Sequence, residues 1–282
     1  MSPTQSLSRV TIAAKPAPVS FTTNDLAAVD IGEALELWRH VRISHGFAPT
    51  TPPLMFGNES NAKLAKDPTP TMGLSLSPAR TSGIGNLCTH STPECRKVCL
   101  FTAGHGRYHS VQEGRKVRAR FMAQHPAAFH ALLRREILAA LRRNKRNHVA
   151  HRLNVVTDID WHNNHPWLAD IPHRARFYTY TKDLARMTTN TREDMTYSIS
   201  ERQRTPDQVA ALLADGHRLA MVADWPTLPK TWRGYPVVNG EKSDLRYRDP
   251  APSLVILRPK GKARELMPRA AGFVKPGEWC RA

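Results

Sequence analysis

Cysteine is scarce in this chain, with four among 282 residues, too few for a disulfide-stapled scaffold. No run approaches the ~18 apolar residues that a membrane helix needs, so a spanning protein is not expected. The opening MSPTQSLSRVTIAAKPAPVS lacks a charged start followed by an apolar core, and no secretory signal is expected there. A cytoplasmic location follows as the expectation. Several familiar motifs are also missing: G-x-x-x-x-G-K-S/T, G-x-G-x-x-G, G-x-S-x-G and H-E-x-x-H. Their absence removes the usual signatures of phosphate loops, dinucleotide sites, nucleophile elbows and zinc proteases. Acids are few, 24 against 41 Lys and Arg, for a net charge of +17.

That excess is uneven. From Arg96 to Arg152 there are 14 basic and 2 acidic residues, a net of +12. Such a block attracts polyanions, of which nucleic acid is the commonest, or is simply a solvated basic face. Arg134, Arg135, Arg142 and Arg143 share the polar side of an amphipathic helix that starts at Pro126, and are the expected nucleic-acid contacts.

The length and the 40% hydrophobic content fit one soluble globular domain. Residues 1–23, without an acid and rich in Ser, Thr, Pro and Ala, read as a flexible tail. A single α/β domain is expected over 24–265, then a C-terminal tail over 266–282. A helix is expected from Asn24, which can cap it. Residues 48–80 carry six prolines and read as loop, with one short helix near Asn61–Ala65. Residues 82–106, with three of the cysteines, read as an ordered loop. Helices are expected over Ser110–Met122, from Pro126 and over Pro206–Ala214. Strands are expected at Arg152–Val156, Arg176–Tyr180, Met195–Ile199, Arg218–Val222, Pro236–Val238 and Leu254–Leu257. Strands at this spacing with crossovers predict a mostly parallel sheet, as an open sheet or a partial (β/α) barrel. In such sheets ligands bind beyond the carboxyl ends of the strands. Asp158, Lys182 and Asp244 are therefore the candidate catalytic residues, and Arg152, Asn154 and Ser200 candidate pocket residues.

The spacing Cys88-x6-Cys95-x3-Cys99 brings three thiols together if the loop curls back. Soft thiolates at this density select zinc or an iron–sulfur cluster. Zinc sites usually show C-x2-4-C pairs, and none is present, so a [4Fe-4S] cluster is the expectation. Arg96 and Lys97 beside the thiols would offset its charge. Cys280 decides the chemistry: folded back it closes the cluster, elsewhere it leaves one iron open. His90, His105 and His109 are also within reach by sequence. Asp158, Asp160, His162 and His165 form a weaker candidate for a harder metal ion.

Several runs carry a resemblance. They are Leu74-Ser75-Leu76-Ser77-Pro78, Thr81-Ser82-Gly83, Asn86-Leu87-Cys88, Cys95, Cys99 and Ala103-Gly104. Arg152-Leu153-Asn154, Asp158-Ile159, Phe177 to Lys182, Tyr197 to Ser200, Asn239-Gly240 and Ser243-Asp244-Leu245-Arg246 follow. In this order they resemble the bacteriophage family called gene product 88, over roughly residues 70–262. That resemblance implies a phage or prophage origin, in an infected or lysogenic bacterium, and little chemistry. More distantly the chain is similar to radical S-adenosylmethionine enzymes, which place three cysteines on a loop before a partial barrel. It departs from their C-x3-C-x2-C spacing, and Val98 stands where they carry an aromatic residue.

Three functions are therefore expected to compete. The first is a radical-type iron–sulfur enzyme using S-adenosylmethionine on a nucleotide or nucleic acid. The second is a nucleic-acid-binding or host-regulator protein with a structural or redox cluster. The third is a zinc-containing phage nuclease using Asp158, Asp160 and His162.

Overall fold

In the computed structural model, residues 20–61, 63–266 and 272–281 are described, and the rest of the expected N-terminal tail lies outside them. The ten strands are β1 (Met55–Phe56), β2 (Thr71–Leu74), β3 (Val149–Arg152), β4 (Ala175–Thr181) and β5 (Glu193–Ile199), then β6 (Arg218–Ala223), β7 (Thr231–Trp232), β8 (Tyr235–Asn239), β9 (Ser253–Leu257) and β10 (Val274–Lys275). They form one sheet in the order β1-β2-β3-β4-β5-β6-β9-β8-β7. Pairing is parallel from β2 through β8 and antiparallel only at the two margins, β1 with β2 and β7 with β8. The expected α/β, mostly parallel architecture is present. The sheet does not close into a barrel. Its outer strands β1 and β7 are two residues long, which limits the unpaired edge they offer.

The helices are α1 (Thr23–Ala27), α2 (Ile31–Ser44), α3 (Pro93–Lys97), α4 (His109–Gln124), α5 (Pro126–Arg143), α6 (Trp161–Asn164), α7 (Leu184–Thr189), α8 (Pro206–Ala214) and α9 (Lys262–Glu265). Where one helix was expected from Asn24, two form. Thr22 and Asp25 make a capping box for α1, and the Asp30 side chain caps α2 by accepting from Glu33 N–H. Near Asn61–Ala65 only a single turn forms, closed by Ala65 N–H to Asn61 O at 2.8 Å. β3 is Val149–Arg152, so the strand expected at Arg152–Val156 overlaps it at one residue only; past Arg152 the chain turns to hydrogen-bond the Asn154 side chain through Thr157, Ile159 and Trp161.

Helices α2, α4, α5 and α6 cover one face of the sheet. Their apolar stripes meet Val149, Leu153, Ala175 and Phe177 in one large core with Trp38, Phe121, Phe129, Trp161 and Trp167. Farther along that face, α8 packs Val209 and Leu213 on Tyr197, Leu219, Met221 and Ile256. The opposite face carries Ala150 and Tyr178, and is covered by Leu64 and Leu245. The segment expected as a C-terminal tail is partly built into the sheet. β10 pairs with the end of β6 at Val222 and Ala223, beyond the point where β5 stops. Indole N–H groups fasten it, Trp225 to Pro276 O and Trp232 to Trp279 O.

Candidate functional site

The loop between β2 and α4 lies against the carboxyl ends of β3, β4 and β5. Asp158 N–H donates to Leu87 O at 2.9 Å, and Thr92 Oγ1 lies 3.3 Å from both oxygens of Ser200. Gly83 and Gly85 take φ of +81° and +127°, left-handed values that favour glycine, where the loop curls. Thr92 and Pro93 start α3 as its cap and first residue, with Cys95 N–H donating to Thr92 Oγ1 at 3.1 Å.

This curl gathers the three loop thiols. All are free; Cys88 is buried, and Cys95 and Cys99 are half-buried. Burial pushes the Cys88 thiol up to about 11, with smaller upward contributions from Cys99, Asp158 and Cys95. Burial also raises Cys99, while Phe101 N–H, Lys182 and Arg115 oppose the rise. The thiols are thus within electrostatic reach of one another and of two cations. Two backbone amides serve the sulfurs, Ala79 N–H at 3.3 Å from Cys88 Sγ and Phe101 N–H at Cys99. Ala79 holds φ +47°, a left-handed strain of about 1–3 kcal/mol for a residue with a Cβ. Nothing in the sequence marked Ala79 or Phe101. The Thr-Pro helix start at Thr92 was legible and was read as loop.

No three His, Cys, Asp or Glu side chains among the described residues close on a single point as one metal ion requires. Cys280 lies in another environment, half-buried on the cluster of Tyr197, Trp225 and Trp232 with its thiol 3.8 Å from Thr227 O. His90 is exposed, 3.6 Å from Asp183, and His105 packs against Tyr108. His109 is the first residue of α4.

Below the loop, Asp158 is held at both oxygens. Oδ2 accepts from Lys182 N–H at 2.9 Å, and Oδ1 from Arg186 Nη1 at 3.0 Å. Arg186 also donates to Glu193 Oε2 at 2.7 Å and lies 3.6 Å from Asp160 Oδ1. His162 Nδ1 completes the group, 3.5 Å from Glu193. Burial would raise the Glu193 carboxyl, but His162 and Arg186 hold it below the usual range. Asp158, Asp160 and His162, expected as a harder-metal candidate, therefore surround a guanidinium that already supplies the positive charge. His165 faces His130 instead, with ring centroids 4.0 Å apart.

Asn154 is buried and organises the turn after β3. Its Oδ1 accepts from Thr157 Oγ1, Ile159 N–H and Trp161 Nε1, and its Nδ2 donates to Ile159 O at 2.8 Å. Its oxygen is saturated by three donors, and one of its two amide N–H groups is committed to Ile159 O. Asn154→Ala is expected to cost about 2–3 kcal/mol by leaving these donors buried and unpaired, read from urea unfolding. Arg152 and Asp244 form a second group on the sheet's opposite face. Asp244 accepts from Asn61 Nδ2 at 2.9 Å and Arg152 Nη1 at 3.3 Å. Burial pushes its carboxyl up, but Arg152 and Lys63 more than offset this and hold it low. The Arg152 guanidinium stacks 4.9 Å from the Tyr180 ring. Of the residues named at the strand ends, Lys182 has the most freedom, its Nζ making only a long 3.4 Å contact to Ser198 Oγ.

The basic block divides in the same way. In α4, Arg115 donates to Phe101 O and Arg120 to Ser82 O, while Lys116 pairs with Glu113. In α5, Arg134 is half-buried, whereas Arg135, Arg142 and Arg143 are exposed. Among the described residues, no helix is long and apolar enough to cross a membrane.

A family model described as "Gene product 88" matches residues 54–274, which include the cysteine loop and all strands except part of β10. No curated protein and no solved structure matches the chain. The distant likeness to radical S-adenosylmethionine enzymes gains no support from these comparisons.

Proposed function

The chain belongs to the gene product 88 family, and from that premise we propose that it is an iron–sulfur protein that binds nucleic acid. Cys88, Cys95 and Cys99 would hold a [4Fe-4S] cluster. The observation that supports this reading is that one curled loop gathers the three thiols, so that Cys88, Cys95 and Cys99 act on one another electrostatically and Lys182 and Arg115 act on Cys99. Three thiolates on one loop are the donor type of an iron–sulfur cluster. Cys88 and Cys99 would have to lose their protons to bind, which burial opposes. Amide N–H groups aimed at the sulfurs, as from Ala79 and Phe101, stabilise thiolates and tune a cluster's potential.

When bound, the cluster would supply one-electron chemistry, with S-adenosylmethionine as co-substrate if the protein is a radical-type enzyme. The chain's own residues do the rest. Asp158 orders Lys182 by its amide and leaves the ammonium beside Cys99. Ser200 and Thr92 fasten the loop to β5. Arg135, Arg142 and Arg143 present cations to a polyanion. The strand-end polar groups thus have structural employment, which favours a binding protein over an enzyme. The packing of Cys280 away from the loop favours an open fourth position, which keeps the enzymatic reading as the second one.

Anaerobic purification with iron, sulfide and zinc analysis tests this. About four irons and four sulfides per chain are expected. Cys88→Ala, Cys95→Ala and Cys99→Ala should each lose the iron, and Cys280→Ala should keep it. A colourless protein, or one zinc per chain, would sink the proposal. Release of 5′-deoxyadenosine from S-adenosylmethionine by the reduced protein would select the enzyme.

A further inference from the structure

Between α2, α5 and the segment before β1 lies a cavity of about 280 Å³. That is close to the lower bound of ~300 Å³ for small-molecule sites. Its walls are Leu35, Trp38, Pro52, Pro53, Met72 and Leu132, and its rim carries Arg135, Arg142 and Arg143. Ala139 lies between Arg135 and Arg142 on the same side of α5, and its small side chain leaves the cavity open. The one carboxylate in the wall, Glu136, is already committed. Its two oxygens accept from Leu54 N–H at 2.7 Å and Met55 N–H at 2.9 Å. None of the three rim arginines has a hydrogen bond or ion pair to another described residue. The cavity is thus an apolar slot bordered by unpaired guanidinium groups.

We infer that this slot takes one unpaired base of a single-stranded nucleic acid, with the neighbouring phosphates on Arg135, Arg142 and Arg143. The inference rests on the reading that this face of α5 meets nucleic acid. A flat, largely apolar base with an anionic backbone matches an apolar slot with a cationic rim. Arginine planes and apolar walls hold splayed-out bases without reading sequence. A paired base cannot enter a slot of this kind, because it stays stacked inside the duplex. The chain's own first nineteen residues, with Arg9, Lys15 and no acid, carry the wrong charge for the rim.

Fluorescence anisotropy on the full chain tests the slot with three probes of equal length: a single strand, its duplex, and a strand with abasic sugars. The single strand should bind at least about tenfold more tightly than either of the others. Ala139→Leu fills the slot without changing charge. It should lose about tenfold on the single strand and keep the wild-type salt slope, with an unchanged circular dichroism spectrum. Arg142→Gln should lower that slope by about 0.7, one phosphate contact. Equal, salt-dependent binding of all three probes would overturn the base slot and leave the nucleic-acid reading standing. No salt-dependent binding of any probe would overturn both. Displacement of the strand by polyglutamate at equal charge would assign the groove to an acidic peptide, and the inference would fall.

Discussion

Arg186→Met is expected to remove about 3–5 kcal/mol of folding stability, the scale seen when one partner of a buried ion group is deleted. The guanidinium is 1% exposed and faces Glu193, 0% exposed, and Asp158, 9% exposed. Without it, two carboxylates would stay buried with no guanidinium or ammonium between them. The cost would be large against the 5–15 kcal/mol that holds most domains together. The loss should not be confined to stability. Asp158 positions Lys182 through its amide, and its own backbone ties to Leu87 in the cysteine loop. The variant should therefore also loosen the thiol site. Arg186→Lys keeps the charge but not the fork that reaches Asp158 and Glu193 together, and should recover less than half of the loss. Arg186→Met with Glu193→Gln removes one of the stranded charges and should recover part of it. Urea unfolding of the four proteins measures this. A single variant within about 1 kcal/mol of wild type would show that the group contributes no net stability.

That cluster also shows what was legible beforehand. Period and spacing in the sequence were enough for α5, α8 and the parallel strands β4, β5, β6, β8 and β9, because each carries a long apolar stripe or a short apolar run. β2 (Thr71–Leu74), by contrast, forms where the prolines of 48–80 suggested only loop, and β3 starts three residues before the strand expected at Arg152–Val156. The barrel was only half legible, since closure depends on how the last strands pair. β9 inserts between β6 and β8, and the sheet ends in antiparallel margins. The cysteines were legible by type and spacing alone. The groups that shape their surroundings were not: Ala79 acts through a backbone angle, Phe101 through an amide, and Arg186 through contacts made only after folding. Asp158, Asp160 and His162 looked like ligands because they are close in sequence. The cation they surround comes from α7, more than twenty residues on. Net charge also overstated the basic face, because it counts Arg115 and Arg120 alike with the exposed arginines, although both are spent on backbone carbonyls.

A second large effect is expected with acid. Burial holds His151 and His165 near 4 and His130 well below its ordinary range. An unfolded histidine takes its proton near 6.5. Between about pH 6.5 and 4 the unfolded chain therefore binds protons that the fold refuses, and stability falls as pH falls. The loss is about 1.4 kcal/mol per pH unit for each such histidine. His130 and His165 are 4.0 Å apart, and charging one opposes charging the other. The pair also packs on Trp161, and Trp167 Nε1 donates to His130 Nδ1 at 3.3 Å, a bond that needs this nitrogen neutral. Glu136 and Asp249, whose carboxyls burial raises, act the other way once the pH reaches the carboxylate range. Glu193, Asp244 and Glu201, held low, keep their contribution until lower pH still. The net expectation from pH 7 to 5 is a loss of about 2 kcal/mol per buried histidine. His151→Phe isolates one of them. The imidazole lies against Phe177 with Nε2 buried and unpartnered, so an apolar ring fills the site at the cost of one hydrogen bond, Nδ1–H to Val149 O at 3.0 Å. Unfolding free energies at half-unit pH steps should show the variant's slope reduced by about one proton below pH 6.5. A wild-type stability that stays flat from pH 7 to 5 would mean that these histidines reach solvent before the chain unfolds.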